Sequence, residues 1–348
     1  MKIVVLAGGL SPERDVSLSS GTKICQALRD RGYRAALVDM YLGLAGPNRD
    51  PFAEPLPEQG AQVARQEPDL ERLKASRAQG GDGLFGPGVL ALCQSADVVF
   101  LALHGTCGED GRVQAAFDLL GVPYTGSGYL GSAIALDKDL TKRLVAPLGI
   151  ATPQWETVRY GQGDIPGLLD RLELPCVVKP VGSGSSIGVS IAHDRAELER
   201  ALELGLTQGG HCVIEQYVAG REIQVGILED AALPSIEIIP KEGFYNYENK
   251  YQPGAAQEIC PAPIPPEWEK RLGDAALTVF RALGLCVYSR ADFIVTQDGT
   301  PWFLEINTLP GMTPTSLVPQ EAQAAGVDYA TLCERIIQAS LEARRAGR

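Results

Sequence analysis

The first forty residues show the hydrophobic pattern of a strand, a helix and a second strand. Residues 3–7 are a short apolar run, residues 17–31 repeat apolar positions at helical spacing, and residues 34–39 form another apolar run. This β-α-β order predicts an α/β fold with a parallel sheet. Glu13 lies in the first loop, at the carboxyl end of a strand, where open α/β sheets bind ligands. Alternatively, Glu13 only complements the dipole of the following helix.

The remaining pattern predicts a mixed succession of helices and strands. Predicted strands lie at residues 97–103, 122–125, 175–179, 189–192, 212–218 and 222–229. Predicted helices lie at residues 87–94, 113–120, 132–147, 194–204, 267–283 and 329–346. The segment 41–85 is rich in Pro, Gly, Gln and Asp, which predicts a surface insertion with one short helix at 69–75. Residues 313–319 are expected to form a loop.

Residues 289–312 have the pattern of a β-hairpin. Two alternating runs flank Asp298-Gly299, a dipeptide that favours a two-residue turn because both positions need positive φ. This turn would place Asp292 opposite Glu305 and Arg290 opposite Asn307. The other face would be core, with two apolar sets facing each other: Ala291, Phe293 and Val295, and Ile306, Leu304 and Trp302.

The polar face of this hairpin is a candidate metal site. Two carboxylates directly opposite each other destabilise a sheet, so a cation between Asp292 and Glu305 would resolve their repulsion. The candidate ligands are hard oxygens, which favour Mg²⁺ or Mn²⁺ over zinc. The alternative is a solvated polar face on which Arg290 pairs with one of the carboxylates.

A second candidate site is the Gly/Ser loop at residues 182–188. It connects two predicted strands and follows Lys179, so its N–H groups and hydroxyls could surround a triphosphate. No G-K-[ST] sequence closes the loop, so it is not a Walker A loop, and a flexible hairpin loop is the alternative. Glu215 and Glu222 could hold an adenine amine and a ribose hydroxyl, or could be ordinary exposed charges. The aromatic-rich segment 244–251 is a candidate lid.

Charge and cysteine content exclude several classes of function. The 348-residue chain has 43 acidic and 31 basic residues and a formal net charge of -12, which argues against a nucleic-acid or anionic membrane surface. Any phosphate site must therefore be a local pocket. The eight cysteines include no C-x-x-C pair, which favours reduced thiols in a cytoplasmic protein. No signal peptide or membrane-spanning run is expected.

Two further segments allow more than one interpretation. Residues 126–131 match the dinucleotide pattern G-x-G-x-x-G, but no acidic residue lies about twenty positions later. A nicotinamide site at this segment is therefore rejected. A nicotinamide-binding oxidoreductase stays an alternative from another class, although it leaves the Asp292 and Glu305 pair unexplained. His104 ends a predicted strand and precedes Gly-x-x-Gly-Glu-Asp-Gly, so it is either a site residue or part of the packing and turn chemistry.

Several sequence segments together resemble the ATP-grasp superfamily and, within it, the D-alanine–D-alanine ligases. They are G-G-L-S-P-E-R-D-V-S, A-L-H-G-T-C-G-E-D-G, P-Y-T-G-S-G, D-K-D-L-T-K, V-V-K-P, G-S-S-I-G-V, Y-E-N-K-Y and L-E-I-N-T-L-P-G-M-T. The resemblance covers most of the chain. It implies a three-domain ATP-grasp fold with a Rossmann-like parallel-sheet domain at 1–130, a central subdomain at 131–225 and a C-terminal subdomain at 226–348. ATP would lie between the second and third domains.

The resemblance also implies a role for each matching residue. The nucleotide phosphates would contact Lys138, Lys179 and Ser186. Adenine and ribose would be held by Glu215, Val218 and Glu222. Two Mg²⁺ ions would be bound by Asp292, Glu305 and Asn307. The first D-alanine would have its ammonium at Glu13 and its carboxylate near His104. The tetrahedral intermediate would be stabilised by Arg290 and the Gly311 backbone. The second substrate would be bordered by Ser316 and Leu317. The lid would be linked to Glu13 by Ser185 and Tyr251.

The implied reaction is ATP-dependent ligation of two D-alanines for peptidoglycan synthesis, in the bacterial cytoplasm and by a homodimer. The sequence departs from the family at Gln216, where many members have Lys, and in the V-G-S-G start of the Gly/Ser loop. D-serine or D-lactate as the second substrate is the nearest alternative, although apolar Leu317 favours D-alanine. A non-catalytic ATP-binding regulator is the alternative from another class.

Overall fold

The N-terminal part of the chain forms a parallel sheet, as predicted. The computed structural model describes residues 1–44, 50–56, 68–77, 83–184, 188–241 and 255–347. Its first elements are β1 (Lys2–Ala7), α1 (Arg14–Asp30), β2 (Arg34–Asp39), α2 (Leu70–Ser76), α3 (Val89–Gln94), β3 (Val98–Leu101) and α4 (Arg112–Leu120). β1 is central and pairs in parallel with β2 and β3. The predicted strand at 122–125 contributes only a single parallel bridge, between Val99 and Tyr124.

The helix predicted at 132–147 is two helices, α5 (Tyr129–Leu136) and α6 (Lys138–Val145). Asp137 separates them because its backbone is extended and its carboxylate accepts a hydrogen bond from the Leu140 N–H at 2.9 Å. The break makes Lys138 the first residue of α6. Its N–H donates to the Val181 carbonyl at 3.1 Å, which brings Lys138 beside the Gly/Ser loop.

The middle of the chain forms a four-stranded antiparallel sheet. Its elements are β4 (Trp155–Arg159), α7 (Ile165–Arg171), β5 (Cys176–Pro180), β6 (Ser190–Ala192), α8 (Arg195–Thr207) and β7 (His211–Gln216), with strand order β4-β7-β5-β6. β5 and β6 pair with each other, so the Gly/Ser loop connects adjacent strands, as predicted.

The last part of the chain forms a six-stranded antiparallel sheet. Its elements are β8 (Arg221–Leu228), β9 (Ala231–Ala232), β10 (Ile236–Pro240), β11 (Ala256–Ile259), α9 (Pro266–Ala282), β12 (Tyr288–Val295), β13 (Pro301–Asn307), α10 (Leu317–Ala324) and α11 (Tyr329–Arg345). The strand order is β11-β10-β8-β12-β13, and β9 pairs with β8. α9 covers the apolar face of this sheet. Within the described ranges, no helix is both long and apolar enough to cross a membrane.

The hairpin of β12 and β13 has the predicted pairs at its functional end but not near its turn. Asp292 lies opposite Glu305 and Arg290 lies opposite Asn307. The turn, however, has three residues between Thr296 and Thr300, and Gly299 adopts a φ of +76°. A bulge then adds one residue, Leu304, which restores the register.

The bulge changes which residues face the core. The prediction placed Leu304 and Trp302 in the core, but both are only partly buried, and Phe303 is fully buried instead. The rings of Phe293 and Phe303 pack edge to face, with their centroids 5.7 Å apart. Leu304 instead lines a cleft beside Glu305, because a bulge can bring two consecutive side chains toward one side.

Two other predictions change for reasons of packing. Residues 313–319 are not all loop, because α10 begins at Leu317; Pro319 fits its first turn, where a missing N–H has no helical partner. The G-x-G-x-x-G segment is covered by α11. The Gly126 N–H donates to Ser340 and the Gly126 carbonyl accepts from Arg344 at 2.8 Å, so this backbone contacts a helix rather than a dinucleotide.

Candidate active site

A cleft lies between the four-stranded and six-stranded sheets. Its walls are apolar, with Val177 and Ile191 on one side and Ile294 and Leu304 on the other. Seven residues predicted from the sequence line it: Lys138, Lys179, Glu215, Val218, Glu222, Asp292 and Glu305. An apolar cleft with charged groups from both sheets suits a planar base attached to an anionic group.

Glu215 is buried at the base of this cleft between two lysines. Its side chain is 1% exposed, and its oxygens lie 2.7 Å from the Lys179 Nζ and 3.1 Å from the Lys142 Nζ. Burial would raise the pKa of Glu215, but the two ammonium groups outweigh this effect and lower it. Burial lowers the pKa of Lys142 to about 8. Glu215 therefore orients two cations, and its carboxylate faces them as well as the cleft.

Lys138 connects the Gly/Ser loop to the hairpin. Its Nζ donates to the Ser183 carbonyl at 2.7 Å and lies 3.2 Å from Glu305 Oε2. The start of the loop also approaches Glu13, since a Cβ built on Gly184 would lie 2.8 Å from Glu13 Oε2. The predicted site residues Ser185, Ser186 and Tyr251, and the candidate lid at 244–251, lie outside the described residues.

The polar face of the hairpin contains the candidate metal ligands and Arg290. Arg290 makes two hydrogen bonds to Asp292, at 2.8 and 2.9 Å, so the alternative pairing considered from the sequence does form. Asn307 Nδ2 donates to Asp292 at 3.3 Å. Across the part of the chain that the structure describes, no three His, Cys, Asp or Glu side chains form a metal cluster. The available donor set is the two carboxylates, Asp292 and Glu305, and the amide of Asn307.

The other predicted residues meet in a second cavity. It is lined by Glu13, His104, Arg290, Asn307, Gly311, Ser316 and Leu317. A third, very small pocket shares Lys138 and Glu305 with the first cleft and Asn307 with the second cavity. A group bound beside Lys138 and Glu305 in the first cleft would therefore lie close to a ligand in the second cavity.

Glu109 and His104 hold the segment between β13 and α10. The Leu309 N–H donates to Glu109 at 3.2 Å, and the His104 Nδ1 lies 2.9 Å from the Leu309 carbonyl. Glu109 also accepts from the Gly105 N–H at 2.9 Å. Burial and the nearby charge of Glu13 raise the pKa of Glu109 to about 7. These contacts fix the backbone that precedes Gly311.

Sequence reasoning missed the roles of Glu109 and Lys142. Glu109 lies in the Gly-Glu-Asp-Gly run after His104, and this run indicates a site near the loop. It does not indicate that Glu109 binds the Leu309 N–H. Lys142 was one of three basic residues on a predicted helix, and nothing local distinguished it as the buried one.

We expect Glu215→Gln to destabilise the fold. The change leaves two buried ammonium groups without their anion, which should lower the free energy of unfolding by about 3–5 kcal/mol. Urea denaturation at neutral pH measures this value. The control is Glu156→Gln, which breaks a half-exposed pair with Arg171 at 2.7 Å and should cost less than about 1 kcal/mol. If both variants lost the same free energy of unfolding, the buried contacts of Glu215 with Lys142 and Lys179 would not be important for stability.

Two family models match the chain. The model described as the N-terminus of D-ala D-ala ligase matches residues 2–127, and the model of its C-terminus matches residues 144–338. A D-alanine–D-alanine ligase from Pediococcus pentosaceus is 42% identical, with 97% of each chain covered. The same enzyme from Syntrophotalea carbinolica is also 42% identical, with 97% of this chain and 95% of the relative covered.

Solved structures agree in fold. The D-alanine–D-alanine ligase of Bacillus anthracis complexed with ATP has a TM-score of 0.76 and 31% identity, with both chains fully covered. The VanG D-Ala:D-Ser ligase of Enterococcus faecalis has a TM-score of 0.75 and 27% identity, with 97% of this chain and 99% of that chain covered. With its parallel N-terminal sheet, its cleft between two antiparallel sheets and its full-length relatives, this chain belongs to the D-alanine–D-alanine ligase family and has the ATP-grasp fold.

Proposed function

We propose that this protein is an ATP-dependent ligase that joins two D-alanines into D-alanyl-D-alanine, for peptidoglycan precursor synthesis. The observation that carries the proposal is that Lys138 and Glu305 of the first cleft and Asn307 of the second cavity line one small pocket. This arrangement would bring the phosphate end of ATP to the carboxylate of an amino acid. Proximity of this kind favours phosphoryl transfer between the two ligands.

The reaction has two steps. A carboxylate oxygen of the first D-alanine attacks the γ-phosphorus of ATP, so ADP leaves and D-alanyl phosphate forms. The amine of the second D-alanine then attacks the carbonyl carbon, loses a proton and expels phosphate. Lys138 and Lys179, with Ser186, would neutralise charge on the phosphates. Val218 and Glu222 would contact adenine and ribose, while Glu215 would mainly hold the lysines in place.

Polar groups of the second cavity suit two amino acids. Glu13 would bind the ammonium of the first D-alanine, while Arg290 and the Gly311 N–H would stabilise the tetrahedral intermediate. The N-terminus of α10, with Ser316 and Leu317, would attract the carboxylate of the second. The Leu317 side chain is apolar and suits a methyl group. A link from Ser185 and Tyr251 to Glu13 would close the site over the reactive acyl phosphate.

Asp292, Glu305 and Asn307 would hold two Mg²⁺ or Mn²⁺ ions. The fit rests on their chemistry, since they offer hard oxygens on one face of the hairpin, where Glu305 and Asn307 line the small third pocket. When bound, the metals supply charge neutralisation for phosphoryl transfer. Arg290 and Lys138 contact the same carboxylates in this structure and would become available to the substrates.

We also propose a cytoplasmic homodimer. All eight cysteines are free, which suits a reducing compartment. α4 packs against α5 and α5 against α6. Together these helices and the turn after them expose several large apolar side chains, which are Leu119, Leu120, Tyr129, Leu130, Leu140, Leu144 and Leu148. Leu119 is 90% exposed, and exposed apolar patches are typical of protein–protein contacts.

We expect light scattering to give about twice the 37.1 kDa mass of one chain. The double variant Leu119→Lys and Leu130→Lys should give the monomer mass, because charge within an apolar contact opposes association. The matched control is Leu204→Lys, an exposed position on α8. A wild-type monomer, or an unchanged mass for the double variant, would contradict the assignment of this surface.

We expect phosphate release that depends on D-alanine, with D-alanyl-D-alanine as the product identified by mass. With equal D-alanine and D-serine, D-alanyl-D-alanine should predominate, although an apolar pocket rejects a hydroxyl only by about a hundredfold. A parallel reaction with D-lactate tests ester formation. If the main product were D-alanyl-D-serine or a depsipeptide, the second substrate would be D-serine or D-lactate instead of D-alanine. If the protein bound ATP but released no phosphate, it would be a regulator and not a ligase.

We expect Glu305→Gln to abolish turnover while leaving the fold intact. The substitution removes one charge at nearly constant volume and weakens any site for a hard cation. Phosphate release at a series of Mg²⁺ concentrations and the unfolding midpoint are the measurements. The control is Glu203→Gln on the exposed face of α8, which should keep full activity. A wild-type rate for Glu305→Gln at ordinary Mg²⁺ would refute the metal assignment.

A further inference from the structure

Glu321 is a buried carboxyl group that the proposed reaction does not use. It lies on α10, and the residue is 0% exposed. Its Oε1 accepts a hydrogen bond from the backbone N–H of Gly226, in β8, at 2.8 Å. Its Oε2 is also buried and has no hydrogen-bond partner among the residues that the structure describes. A carboxyl group is costly to bury, so the contact with Gly226 must compensate for that cost.

The Gly226 N–H lies at a gap in the pairing of β8. β8 pairs with β10 as far as Gln224, and its pairing with β9 begins at Ile227. The Gly226 carbonyl accepts from the Leu233 N–H at 2.8 Å, whereas the Gly226 N–H donates to the side chain of Glu321. A buried backbone N–H needs an acceptor, and Glu321 takes the place of the missing strand partner.

The absence of a side chain at Gly226 lets Glu321 approach β8 closely. A Cβ built on Gly226 would lie 2.5 Å from Glu321 Oε2, so any larger residue would displace the carboxyl group. Glu321 lies one turn after Leu317, on the same face of α10. Leu317 packs with Ile236 and Ile238 in β10, the strand next to β8. Two neighbouring strands therefore hold α10, by an apolar contact at its first residue and by a hydrogen bond one turn later.

The surroundings of Glu321 favour its protonated, uncharged form. Burial raises the pKa of Glu321 well above the ordinary value of a glutamate, and the charges of Asp292 and Glu269 add to this effect. The Gly226 N–H and the charge of Arg290 oppose it. An uncharged acid suits this position, because a negative charge within α10 would repel a carboxylate bound at its N-terminus.

We propose that Glu321 is a positioning residue for the second amino acid, because it sets the spacing between α10 and Arg290. The inference rests on the proposed function and deepens it. Gly226 lies directly opposite Arg290 in the pairing of β8 with β12. The contact between Glu321 and Gly226 therefore links the N-terminus of α10, which would hold the second carboxylate, to the strand beside Arg290. Correct spacing would place the attacking amine at the carbonyl carbon.

Steady-state kinetics of Glu321→Leu test the proposal. Leucine fills the site without an acceptor, so the buried N–H of Gly226 loses its partner. Phosphate release is measured against D-alanine concentration and fitted with separate saturation constants for the first and second D-alanine. We expect the second constant to rise by about tenfold, while the constants for ATP and the first D-alanine stay within about twofold of wild type.

Conservative variants distinguish positioning from a general loss of stability. Glu321→Gln should restore most of the lost affinity, because an amide keeps the carbonyl acceptor and, like the protonated acid, has no charge. Glu321→Asp should not restore it, since its carboxyl group is one methylene shorter and does not reach Gly226. The matched control is Gln323→Leu, an exposed position on the same helix, which should keep wild-type constants.

Two results would overturn the proposal. One is an unchanged second constant in Glu321→Leu, or an equal rise of the constants for ATP and both D-alanines, which a merely structural role would give. The other is a second constant in Glu321→Gln that is no better than that of Glu321→Asp. This second comparison remains valid even if Glu321→Leu does not fold.

Folding and function are monitored separately in these experiments. Urea unfolding of each variant and binding of a non-hydrolysable ATP analogue show whether the fold and the nucleotide cleft are intact. If wild-type protein forms no D-alanyl-D-alanine, the proposed ligase function fails. If it forms the dipeptide but the second constant does not respond to loss of the acceptor, only the role of Glu321 fails.

Discussion

The two walls of the nucleotide cleft are joined by a buried polar chain that starts at Glu215. Lys142 lies 3.1 Å from Glu215 and donates to the Thr152 hydroxyl at 2.6 Å. Thr152 in turn donates to the Phe303 carbonyl at 2.9 Å, in β13 directly before the bulge. A buried charge without a partner costs several kcal/mol, so each member constrains the position of the next. The chain therefore couples the four-stranded sheet to the hairpin of the six-stranded sheet.

The distribution of charge reconciles an acidic protein with an anionic ligand. The net charge is -12, yet lysines and an arginine concentrate at the cleft, each beside a carboxylate. Lys138 pairs with Glu305 and Arg290 with Asp292, and all four side chains are largely buried and thus weakly screened by salt. If metal ions took the carboxylates, the cations would be available to phosphate and substrate. Lys138 and Arg290 could then exchange a carboxylate for a phosphate or a substrate, and no buried charge would be left without a partner.

The hairpin shows how a prediction from sequence can be correct at one end of an element and wrong at the other. Asp298-Gly299 predicted a turn, and alternation predicted a polar face with Asp292 opposite Glu305. The observed turn is one residue longer, which shifts the register, and Leu304 shifts it back. The two differences cancel at the functional end only. Alternation cannot reveal a bulge, because the extra residue is accommodated by packing of Phe303 against Phe293.

The sequence by itself determined the order of most strands and helices, the β-α-β start and the hairpin, because local periodicity and turn chemistry depend on near neighbours. Its motifs also indicated most of the candidate site residues. The domain boundaries and the lid remain predictions. Only the tertiary structure decided that Lys142 is the buried lysine, that α11 covers Gly126, and that Glu109 and His104 hold Leu309 about 200 residues away. These contacts join distant segments through packing and burial, and no local pattern encodes which distant backbone group a side chain will meet.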